Sequence, residues 1–454
     1  MTDSARWRVA IIGSGPSGFY AAQELLKQSS WDLDVDLFER LLTPYGLVRG
    51  GVAPDHQKIK SVTRIFDRVA QQPGFRFFGN VEFGKDLTRE DFLAHYDAIL
   101  YTVGSSTDRH LNIPGEELSG SHSATEFVAW YNGHPDFRER AFGLQGKSAI
   151  VIGVGNVAVD VARILSHDPE FLATTDIAAH ALQALRDSTI EDVYLIGRRG
   201  PVQAAFTPTE VRELSELTQV DVIVRPEDLE LDEGSQQELD AAGRQTAQNL
   251  DLLREMSQRT PSGRPKRLHF LFCASPVELH GDDGKVRSMK LVRNRLEWSN
   301  GRTRAVATGE TFELPANLVF RAVGYRGEPL PGVAFDERSG TIPHEKGKVL
   351  NPEGDGREYV AGWIKRGPSG VVGTNKPCAV ESAQTMLQTF LDEQRRPLGA
   401  PDVTELLSAR SIRYVSYDDW KRLDEHEVQT GQALGRPRLK LTDPQEMLKI
   451  LENA

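Results

Sequence analysis

Two copies of the pattern Gly-x-Gly-x-x-Gly/Ala constrain the fold of this chain more than any other feature. The first copy is Gly13-Ser14-Gly15-Pro16-Ser17-Gly18, and it follows the apolar residues 9–12. The second is Gly153-Val154-Gly155-Asn156-Val157-Ala158, and it follows the apolar residues 149–152. Each copy therefore lies where a strand turns into a helix, the position at which this pattern binds the pyrophosphate of a dinucleotide. The amides at the start of such a helix hold the phosphates.

The strand that follows each pattern ends in residues of opposite charge. The strand after the first pattern ends at Glu39, near the spacing at which a carboxylate binds the two hydroxyls of a ribose, which suits FAD or NAD. The strand after the second ends in Arg198 and Arg199, whose guanidiniums can bind a 2′-phosphate, which suits NADP. Simpler interpretations stay open: a solvated charge at a strand end for Glu39, and an exposed basic turn for the arginine pair.

Length and composition indicate a folded protein of more than one domain. The 454 residues exceed the size of one hydrophobic core, and 26% charged with 39% hydrophobic residues is ordinary for a globular protein. We find no apolar segment near the roughly 20 residues of a membrane span, and the first strand begins by Arg8, so we expect a cytoplasmic protein or one that is already processed. The net charge of −11 argues against general nucleic-acid binding.

The two cysteines and the acidic residues predict neither a redox pair nor a metal site. Cys273 and Cys378 are too far apart for a Cys-x-x-Cys motif, and isolated thiols suit a reducing compartment. We expect both to be core residues. The sequence contains no cluster with metal-ligand spacing, so we predict that the protein binds no metal.

Short apolar segments alternate with helical patterns from the N-terminus to about residue 330, which predicts an α/β protein with parallel sheets. We expect two doubly wound, Rossmann-like domains. Their strands are predicted at residues 8–13, 35–39, 75–81 and 98–104 for the first domain and at 148–153, 193–197, 220–224 and 268–273 for the second. Residues 233–262 predict an exposed amphipathic helix.

The similar segments 100–104 and 320–324 lie on either side of the second pattern. We therefore expect the NADP-binding domain, residues 106–324, to be inserted into an FAD-binding domain made of residues 1–105 and 325–454. A glycine-rich segment at 359–375 joins a predicted strand to a predicted helix at 379–391. This helix start can present amides to a flavin ring or phosphate, and a plain loop is the alternative.

Taken together, these motifs resemble those of the adrenodoxin-reductase type of ferredoxin–NADP⁺ reductase. The resemblance is carried by GSGPSGFYAAQELLK from residue 13, FERLLTPYGLVRGGVAPDHQKIK from 38, GNVAVDVARIL from 155, IGRRGPVQAAFTPTEVREL from 196 and VAGWIKRGPSGVVGTN from 360. The tail from 414 to 438 is similar too. The resemblance implies a flavoprotein that passes electrons from NADPH through FAD to a one-electron iron–sulfur carrier such as a ferredoxin.

The resemblance also implies the site residues. The glycine turn with Gly13, Gly15 and Gly18 would hold FAD, together with Ser17, Glu39, Leu47, Val81, Trp363, Gly370, Val371 and Val372. NADPH would contact Arg109, Gly155, Asn156, Val157, Ala158, Arg198, Arg199, Glu210 and Gly370. His56 and Glu213 would lie near the flavin and nicotinamide rings as catalytic residues. From the residues alone, His56 is equally a histidine of a Gly-Pro-rich turn, and Glu213 a solvated carboxylate.

An acidic ferredoxin partner requires a local basic surface on this acidic chain, because charge attraction beyond about 8 Å is screened at physiological salt. The segment 263–267 resembles one that the family uses for its iron–sulfur partner, although a solvated run of charges is the alternative. The candidate basic residues are Arg264, Lys266, Arg267, Arg293, Arg295, Arg302 and Arg304, with Arg138 and Arg140 as a second choice.

Two other classes of function stay open. One is a different flavin enzyme: a disulfide reductase, a monooxygenase or the reductase part of an amidotransferase-linked enzyme. The missing Cys-x-x-Cys motif disfavours the first, and the lack of a cysteine-rich N-terminal region disfavours the last. The other class is a non-catalytic NADP-binding regulator with a structural flavin, which NADPH would not bleach.

Overall fold

The computed structural model describes residues 6–299, 301–351, 354, 356–393 and 396–453. The chain divides into two compact units: unit 1 is Met1–Thr107 with Tyr325–Ala454, and unit 2 is Asp108–Gly324. The chain therefore starts unit 1, forms the whole of unit 2 and then completes unit 1. Each unit contains a parallel sheet with helices, so the predicted α/β class with two doubly wound, Rossmann-like sheets is confirmed.

The strands of the structure include all eight predicted ones, with ends that differ from the prediction by up to three residues. In the described chain they are β1 (Trp7–Ile12), β2 (Leu33–Glu39), β3 (Phe75–Gly79), β4 (Ala98–Tyr101), β5 (Thr107–Asp108), β6 (Ser121–Ser123), β7 (Ser148–Ile152), β8 (Asp192–Ile196), β9 (Val220–Ile223), β10 (Lys266–Leu271), β11 (Ala274–Asp282), β12 (Lys285–Ser299), β13 (Arg302–Pro315), β14 (Leu318–Arg321), β15 (Tyr325–Arg326), β16 (His344–Glu345), β17 (Lys348–Val349) and β18 (Glu358–Val360).

The helices connect these strands and form the C-terminal region. They are α1 (Pro16–Leu26), α2 (Leu47–Gly50), α3 (Gln57–Lys60), α4 (Thr63–Ala70), α5 (Arg89–His95), α6 (Ala124–Tyr131), α7 (Asn156–Ser166), α8 (Pro169–Leu172), α9 (Ala179–Arg186), α10 (Pro208–Ser215), α11 (Glu233–Ala241), α12 (Arg244–Ser257), α13 (Trp363–Arg366), α14 (Asn375–Asp392), α15 (Val403–Ala409), α16 (Tyr417–Ala433) and α17 (Pro444–Glu452). None of the helices in the described ranges is both long and apolar enough to cross a bilayer.

The main sheet of unit 1 has the strand order β16-β17-β18-β4-β1-β2-β3. Strands β18, β4, β1, β2 and β3 run parallel, and β4 is fully buried, which explains its continuous apolar sequence. The chain goes from β1 to β2 on one side and returns to β4 on the other. The strand order therefore reverses at the carboxyl end of β1, where doubly wound sheets bind their ligands.

Unit 2 repeats this arrangement with a six-stranded parallel sheet of order β6-β14-β7-β8-β10-β9. Its order reverses at the carboxyl end of β7. An antiparallel sheet of order β11-β12-β13 also belongs to this unit, and the sequence analysis did not predict it. The prediction searched for short apolar segments, whereas β12 and β13 have 15 and 14 residues and many exposed polar side chains.

The predicted helix at 233–262 is wrong in its extent. Two helices, α11 and α12, replace it, and the second ends at Ser257. The break is at Ala242 and Gly243, whose backbone is extended. Glycine weakens a helix interior because it loses the most backbone freedom on folding, so the chain breaks there and restarts. The apolar residues that predicted the helix are buried on α12: Leu250, Leu253 and Met256.

A buried carboxylate connects three elements of the unit 1 core. Glu358 of β18 is 2% exposed. Arg89 of α5 donates to it from Nε at 2.9 Å and also from Nη2, and the Tyr101 hydroxyl of β4 donates at 2.8 Å. Because the carboxylate is desolvated, removing its charge would leave the guanidinium without its buried partner.

We therefore expect Glu358→Ala to lower the free energy of unfolding by about 3–5 kcal/mol, the cost of breaking a buried ion pair. The control is Glu345→Ala at an exposed position of β16, which should change the free energy of unfolding by less than about 0.5 kcal/mol. Urea unfolding followed by circular dichroism measures both variants. Equal unfolding midpoints for the two variants would contradict a structural role for the Glu358 carboxylate.

Candidate dinucleotide-binding sites

The glycine turn of unit 1 lies between β1 and α1 and is packed backbone against backbone. Gly13 has φ +103°, and a Cβ there would lie 2.8 Å from the Thr102 carbonyl oxygen. A Cβ on Gly18 would lie 2.3 Å from the Gly13 carbonyl oxygen. By contrast, a Cβ on Gly15, the residue before α1, would meet no heavy atom within 4 Å. The turn is thus closely packed at Gly13 and Gly18 and has open space at Gly15, beside the N-terminus of α1. That space suits a pyrophosphate.

Glu39 lies at the end of β2, beside this turn. Its carboxylate accepts hydrogen bonds from Ser14 Oγ at 2.7 Å, Ser14 N at 3.2 Å and Leu41 N at 3.1 Å. The Val81 amide donates to the Glu39 backbone carbonyl at 3.0 Å, which brings the end of β3 to the same edge. A carboxylate has about four lone-pair sites, so these contacts orient Glu39 while leaving capacity for ribose hydroxyls.

The segment after β18 packs against the start of α1. A Cβ on Gly362, which has φ +81°, would lie 2.2 Å from Ser17 Oγ, and this hydroxyl donates to Asn375 Oδ1 at 3.1 Å. Trp363 Nε1 is buried and has no hydrogen-bond partner among the residues that the structure describes. Buried N–H groups are normally paired, so this indole is a donor available to a ligand. Gly370, Val371 and Val372 belong to the same segment.

Two further residues predicted for unit 1 lie on short helices. Leu47 begins α2 and is exposed, and the preceding Tyr45 donates from its amide to the Ser14 carbonyl at 3.0 Å. His56 precedes α3, and its amide donates to the Ala53 carbonyl at 3.0 Å. The structure therefore brings the Leu47 segment to the glycine turn, whereas the catalytic role of His56 stays a prediction.

The glycine turn of unit 2 lies between β7 and α7 and has the same design. Gly153 has φ +133°, and its Cβ would lie 2.3 Å from the Ala322 carbonyl oxygen. Gly155 precedes α7, and a Cβ there would meet no heavy atom within 4 Å. Asn156 accepts a hydrogen bond from the Thr207 amide at 2.9 Å, and Ala158 is buried. A pyrophosphate can therefore approach at Gly155.

Arg198 and Arg199 follow β8 at the same edge of the sheet. Their backbone is held by Asn294 Nδ2, which donates to the Arg198 carbonyl at 2.8 Å, and by Cys273 N, which donates to the Arg199 carbonyl at 3.1 Å. Within the described chain, neither guanidinium forms an ion pair or a hydrogen bond. Burial and then the adjacent Arg198 charge lower the pKa of Arg199. Two like charges without a bound acid are suited to an anion such as a 2′-phosphate.

Glu210 and Glu213 both lie on α10 and contact one buried arginine. Arg163 of α7 is 1% exposed, and its Nη1 lies 2.9 Å from Glu210 Oε2 and 3.2 Å from Glu213 Oε2. Its Nη2 also donates to Asp160 at 2.8 Å. The sequence analysis missed Arg163. A charge within the apolar run VARIL on a predicted helix requires an acidic partner, and this signal could have identified it.

The predicted site residue Arg109 lies at the start of unit 2 and is exposed. Its amide donates to the Gly324 carbonyl at 3.0 Å, which places the two ends of the unit side by side. The contact of its side chain with NADPH stays a prediction. Gly370, predicted for both cofactors, lies in unit 1.

The basic side chains of residues 263–267, predicted to dock an acidic partner, form hydrogen bonds within unit 2. Arg264 donates to the Leu217 carbonyl at 2.8 Å, and Lys266 Nζ donates to the Leu165 carbonyl at 2.7 Å. Arg267 donates to Asp192 through two hydrogen bonds of 2.6 Å. Burial lowers the pKa of Lys266 to about 8. Lys266 is therefore withdrawn from solvent, whereas the Arg264 and Arg267 side chains stay 42% and 38% exposed, and their docking role stays a prediction.

The other candidate cations differ in whether a neighbouring side chain already binds them. Arg295 pairs with Glu297 at 2.6 Å, and Arg293 stacks over the Phe312 ring at 4.5 Å. Arg138 and Arg140 pair with Glu139 and Glu126 at 2.8 and 3.0 Å. Arg302 and Arg304 are exposed on one face of β13 and form no ion pair with any described residue.

We expect Gly155→Ala to weaken NADPH binding by about tenfold or more, because the methyl group would occupy the open space where the phosphates approach. The thermal stability of the Gly155→Ala variant should stay unchanged, since the added Cβ meets no protein atom within 4 Å. The control Gly143→Ala also adds a methyl group to open space, in a different loop, and should change neither property. Calorimetric titration with NADPH and thermal melts measure both. Equal NADPH affinity in the two variants would contradict the placement of the phosphates.

Comparisons with known proteins agree with this geometry. Residues 7–219 match the family described as pyridine nucleotide-disulphide oxidoreductase. The chain is 47% identical over 452 residues to NADPH-ferredoxin reductase FprA of Mycobacterium leprae, covering 97% of this chain and 98% of that protein. It is 40% identical over 459 residues to the mitochondrial NADPH:adrenodoxin oxidoreductase of Bos taurus, covering 98% and 92% of the two chains.

A solved structure is similar over the same length. The complex of Mycobacterium tuberculosis FprA with NADPH has a TM-score of 0.94 and 46% sequence identity. The similarity covers 98% of this chain and 100% of that one. Sequence and fold therefore relate this chain to the same group of proteins from end to end.

Proposed function

Because this chain belongs to the adrenodoxin-reductase family of NADPH–ferredoxin reductases, we propose that it transfers electrons from NADPH through bound FAD to a ferredoxin. Unit 1 binds FAD at the Gly13–Gly18 turn, and unit 2 binds NADPH at the Gly153–Ala158 turn. The observation that carries this proposal is the contrast between the two strand ends: an oriented carboxylate, Glu39, follows one turn, and two guanidiniums without a bound acid follow the other.

Each group of residues has a distinct task in this proposal. The amides that begin α1 and α7 would hold the two pyrophosphates, and Trp363 Nε1 would be a hydrogen-bond donor to the flavin. FAD, when bound, would supply the redox chemistry between a hydride donor and a one-electron acceptor, so the protein needs to orient the cofactors rather than supply an acid or base. Arg163 binds the carboxylates of Glu210 and Glu213 through one nitrogen, Nη1, and so keeps them close together. We propose that Glu213 and His56 influence the flavin potential or protonation.

The test is anaerobic mixing of the purified protein with NADPH, followed by addition of oxidised ferredoxins. We expect NADPH to bleach the flavin absorbance and the ferredoxin to restore it. Denaturation should release FAD, whereas release of FMN or of no flavin would contradict the assignment of unit 1. A flavin that NADPH does not bleach would favour a non-catalytic NADP-binding regulator.

The cysteines do not favour disulfide reduction, the chemistry of some relatives in the broader family. Cys273 and Cys378 are both free thiols, and burial raises the pKa of Cys273 to about 11. Disulfide exchange requires a thiolate, which this pKa suppresses at neutral pH. Free thiols also support our proposal of a cytoplasmic location, and the net charge of −11 supports a protein partner rather than a nucleic acid.

Arg198 and Arg199 should determine the preference for NADPH over NADH. Each charge-assisted hydrogen bond to the 2′-phosphate contributes about 1.5–3 kcal/mol. The double variant Arg198→Gln/Arg199→Gln should therefore raise the KM for NADPH by roughly tenfold or more per arginine and leave turnover with NADH little changed. The control Arg254→Gln removes an exposed charge from α12. Equal losses with both nucleotides would contradict the assignment.

We further propose that the ferredoxin is acidic and that Arg302 and Arg304 attract it. Both guanidiniums are exposed on β13 and form no ion pair with a described residue, whereas Arg264, Lys266 and Arg267 are held by hydrogen bonds within unit 2. Attraction between opposite charges mainly speeds association and weakens with salt. The double variant Arg302→Glu/Arg304→Glu should thus slow ferredoxin reduction by about tenfold at low salt and flatten its salt dependence.

Two controls isolate docking from chemistry in this experiment. Reduction of ferricyanide, a small acceptor, should be unchanged in the double variant. The variant Arg186→Glu/Arg254→Glu reverses the same number of exposed charges on α9 and α12 and should leave ferredoxin reduction near the parent rate. If both double variants slow the ferredoxin equally, the effect is one of net charge and the surface on β13 has no special role.

A further inference from the structure

The turn at Tyr45 and Gly46 holds a tyrosine in a backbone conformation that its side chain disfavours. Both residues have positive φ, 86° for Tyr45 and 49° for Gly46. A bulky side chain at positive φ is rare, and such strain persists only where the surrounding structure holds it. This strained turn lies directly against the glycine turn between β1 and α1. A Cβ on Gly46 would lie 2.9 Å from the Gly15 Cα, and the Tyr45 amide donates to the Ser14 carbonyl at 3.0 Å.

The Tyr45 side chain is held by a partly buried polar cluster. Its hydroxyl donates to Asp67 Oδ1 at 2.8 Å and accepts from Trp420 Nε1 at 3.2 Å. The Tyr417 hydroxyl lies 2.8 Å from that of Tyr45 and donates to the same Asp67 oxygen at 2.5 Å. The rings of Tyr45 and Trp420 meet edge to face, with centroids 5.7 Å apart. Tyr417 and Trp420 both belong to α16, in the C-terminal region.

A buried ion pair holds the other end of the same turn. Arg49 of α2 donates to Glu427 of α16 through two hydrogen bonds of 2.8 and 2.5 Å, and Glu427 is fully buried. The Glu427 carboxylate also accepts from Arg438 Nη1 at 3.1 Å and from the Leu441 amide at 2.8 Å. In addition, Lys440 Nζ donates to the Arg49 carbonyl at 3.1 Å. A bidentate arginine–carboxylate pair fixes both distance and orientation.

We propose that residues 416–441 form a clamp that retains FAD by holding the Tyr45–Arg49 turn against the pyrophosphate-binding turn. Tyr45, Arg49 and Glu427 are then positioning residues, which act on the cofactor through the backbone at Ser14 and Gly15. The inference rests on the proposed function, because that proposal assigns FAD to unit 1. Without the clamp, the strained turn relaxes, the support behind Gly15 weakens, and FAD leaves faster although every residue predicted to contact it is intact.

The experiment measures FAD dissociation from the holoprotein by the rise in free-flavin fluorescence after dilution. Glu427→Gln keeps the shape of the side chain but removes the charge that pairs with Arg49. We expect dissociation at least tenfold faster than in the parent protein. Glu425→Gln, two residues earlier on α16 and exposed, is the matched control and should release FAD at the parent rate. A parent-like rate for Glu427→Gln would overturn the clamp.

A second set of variants separates the clamp from a general loss of stability. Phe390→Ala removes a buried ring at the far end of α14 from the glycine turn, and it should lower the melting temperature of the protein without a comparable rise in FAD release. Tyr45→Phe keeps the ring but loses the hydroxyl contacts, and we expect an intermediate release rate and an altered visible circular dichroism of the bound flavin. If Phe390→Ala releases FAD as fast as Glu427→Gln at equal loss of stability, the clamp is overturned.

NADP⁺ titration of each variant reports on unit 2 and should give the parent affinity throughout. The outcomes also distinguish this inference from the function on which it rests. A parent protein that carries no FAD would contradict the proposed function. A parent protein that holds FAD, together with a Glu427→Gln variant that releases it no faster, would contradict the clamp alone.

Discussion

The contact between Gly18 and the Gly13 carbonyl is the constraint on which the rest of unit 1 depends. Because a Cβ would come within 2.3 Å of that oxygen, only a residue without a side chain lets α1 begin directly against the strand edge. Two other glycines also lie where a side chain would not fit: Gly46 lies against Gly15, and Gly362 lies against Ser17. Three separate segments of the chain thus meet around one helix start, which leaves its amides facing outward.

Unit 2 uses the same turn with different chemistry around it. Ala158 takes the third small position, and Asn156 is engaged by the Thr207 amide. The strand end then carries two cations instead of an acid, and α10 supplies carboxylates whose charge Arg163 offsets. In the proposed function, the backbone of the turn binds the pyrophosphate of either dinucleotide, while the side chains at the end of the next strand select the nucleotide. This division explains how one fold occurs twice in a chain with two different tasks.

The features that could be predicted from the sequence are those with a local physical cause. Buried parallel strands need continuous apolar segments, so β1 and β7 were predicted to within one residue at each end, while β4 ends three residues before its predicted end. The glycine spacing likewise placed both turns. The break at Gly243 was missed although its cause is local, because the apolar spacing of α12 was extended past a glycine that should have ended it.

The features that could not be predicted depend on partners distant in the chain. Arg267 looked like a docking charge, but it binds Asp192, which lies 75 residues earlier. The sequence analysis did not single out Glu427, which is buried against Arg49, 378 residues away. A side chain's type is visible in the sequence, whereas its solvation is set by whichever element packs on it. The same reason hides the contacts of Arg163 with α10.

The insertion of unit 2 has a consequence for biosynthesis. The ribosome delivers all of Asp108–Gly324 before β18, so unit 2 can fold while unit 1 still lacks the strand that pairs with β4. The partly made unit 1 exposes the edge of β4 and the apolar face that α14 later covers, a state that invites edge pairing with other chains. Rapid completion or chaperone protection of this nascent edge would then govern the yield of folded protein, independently of how stable the finished molecule is.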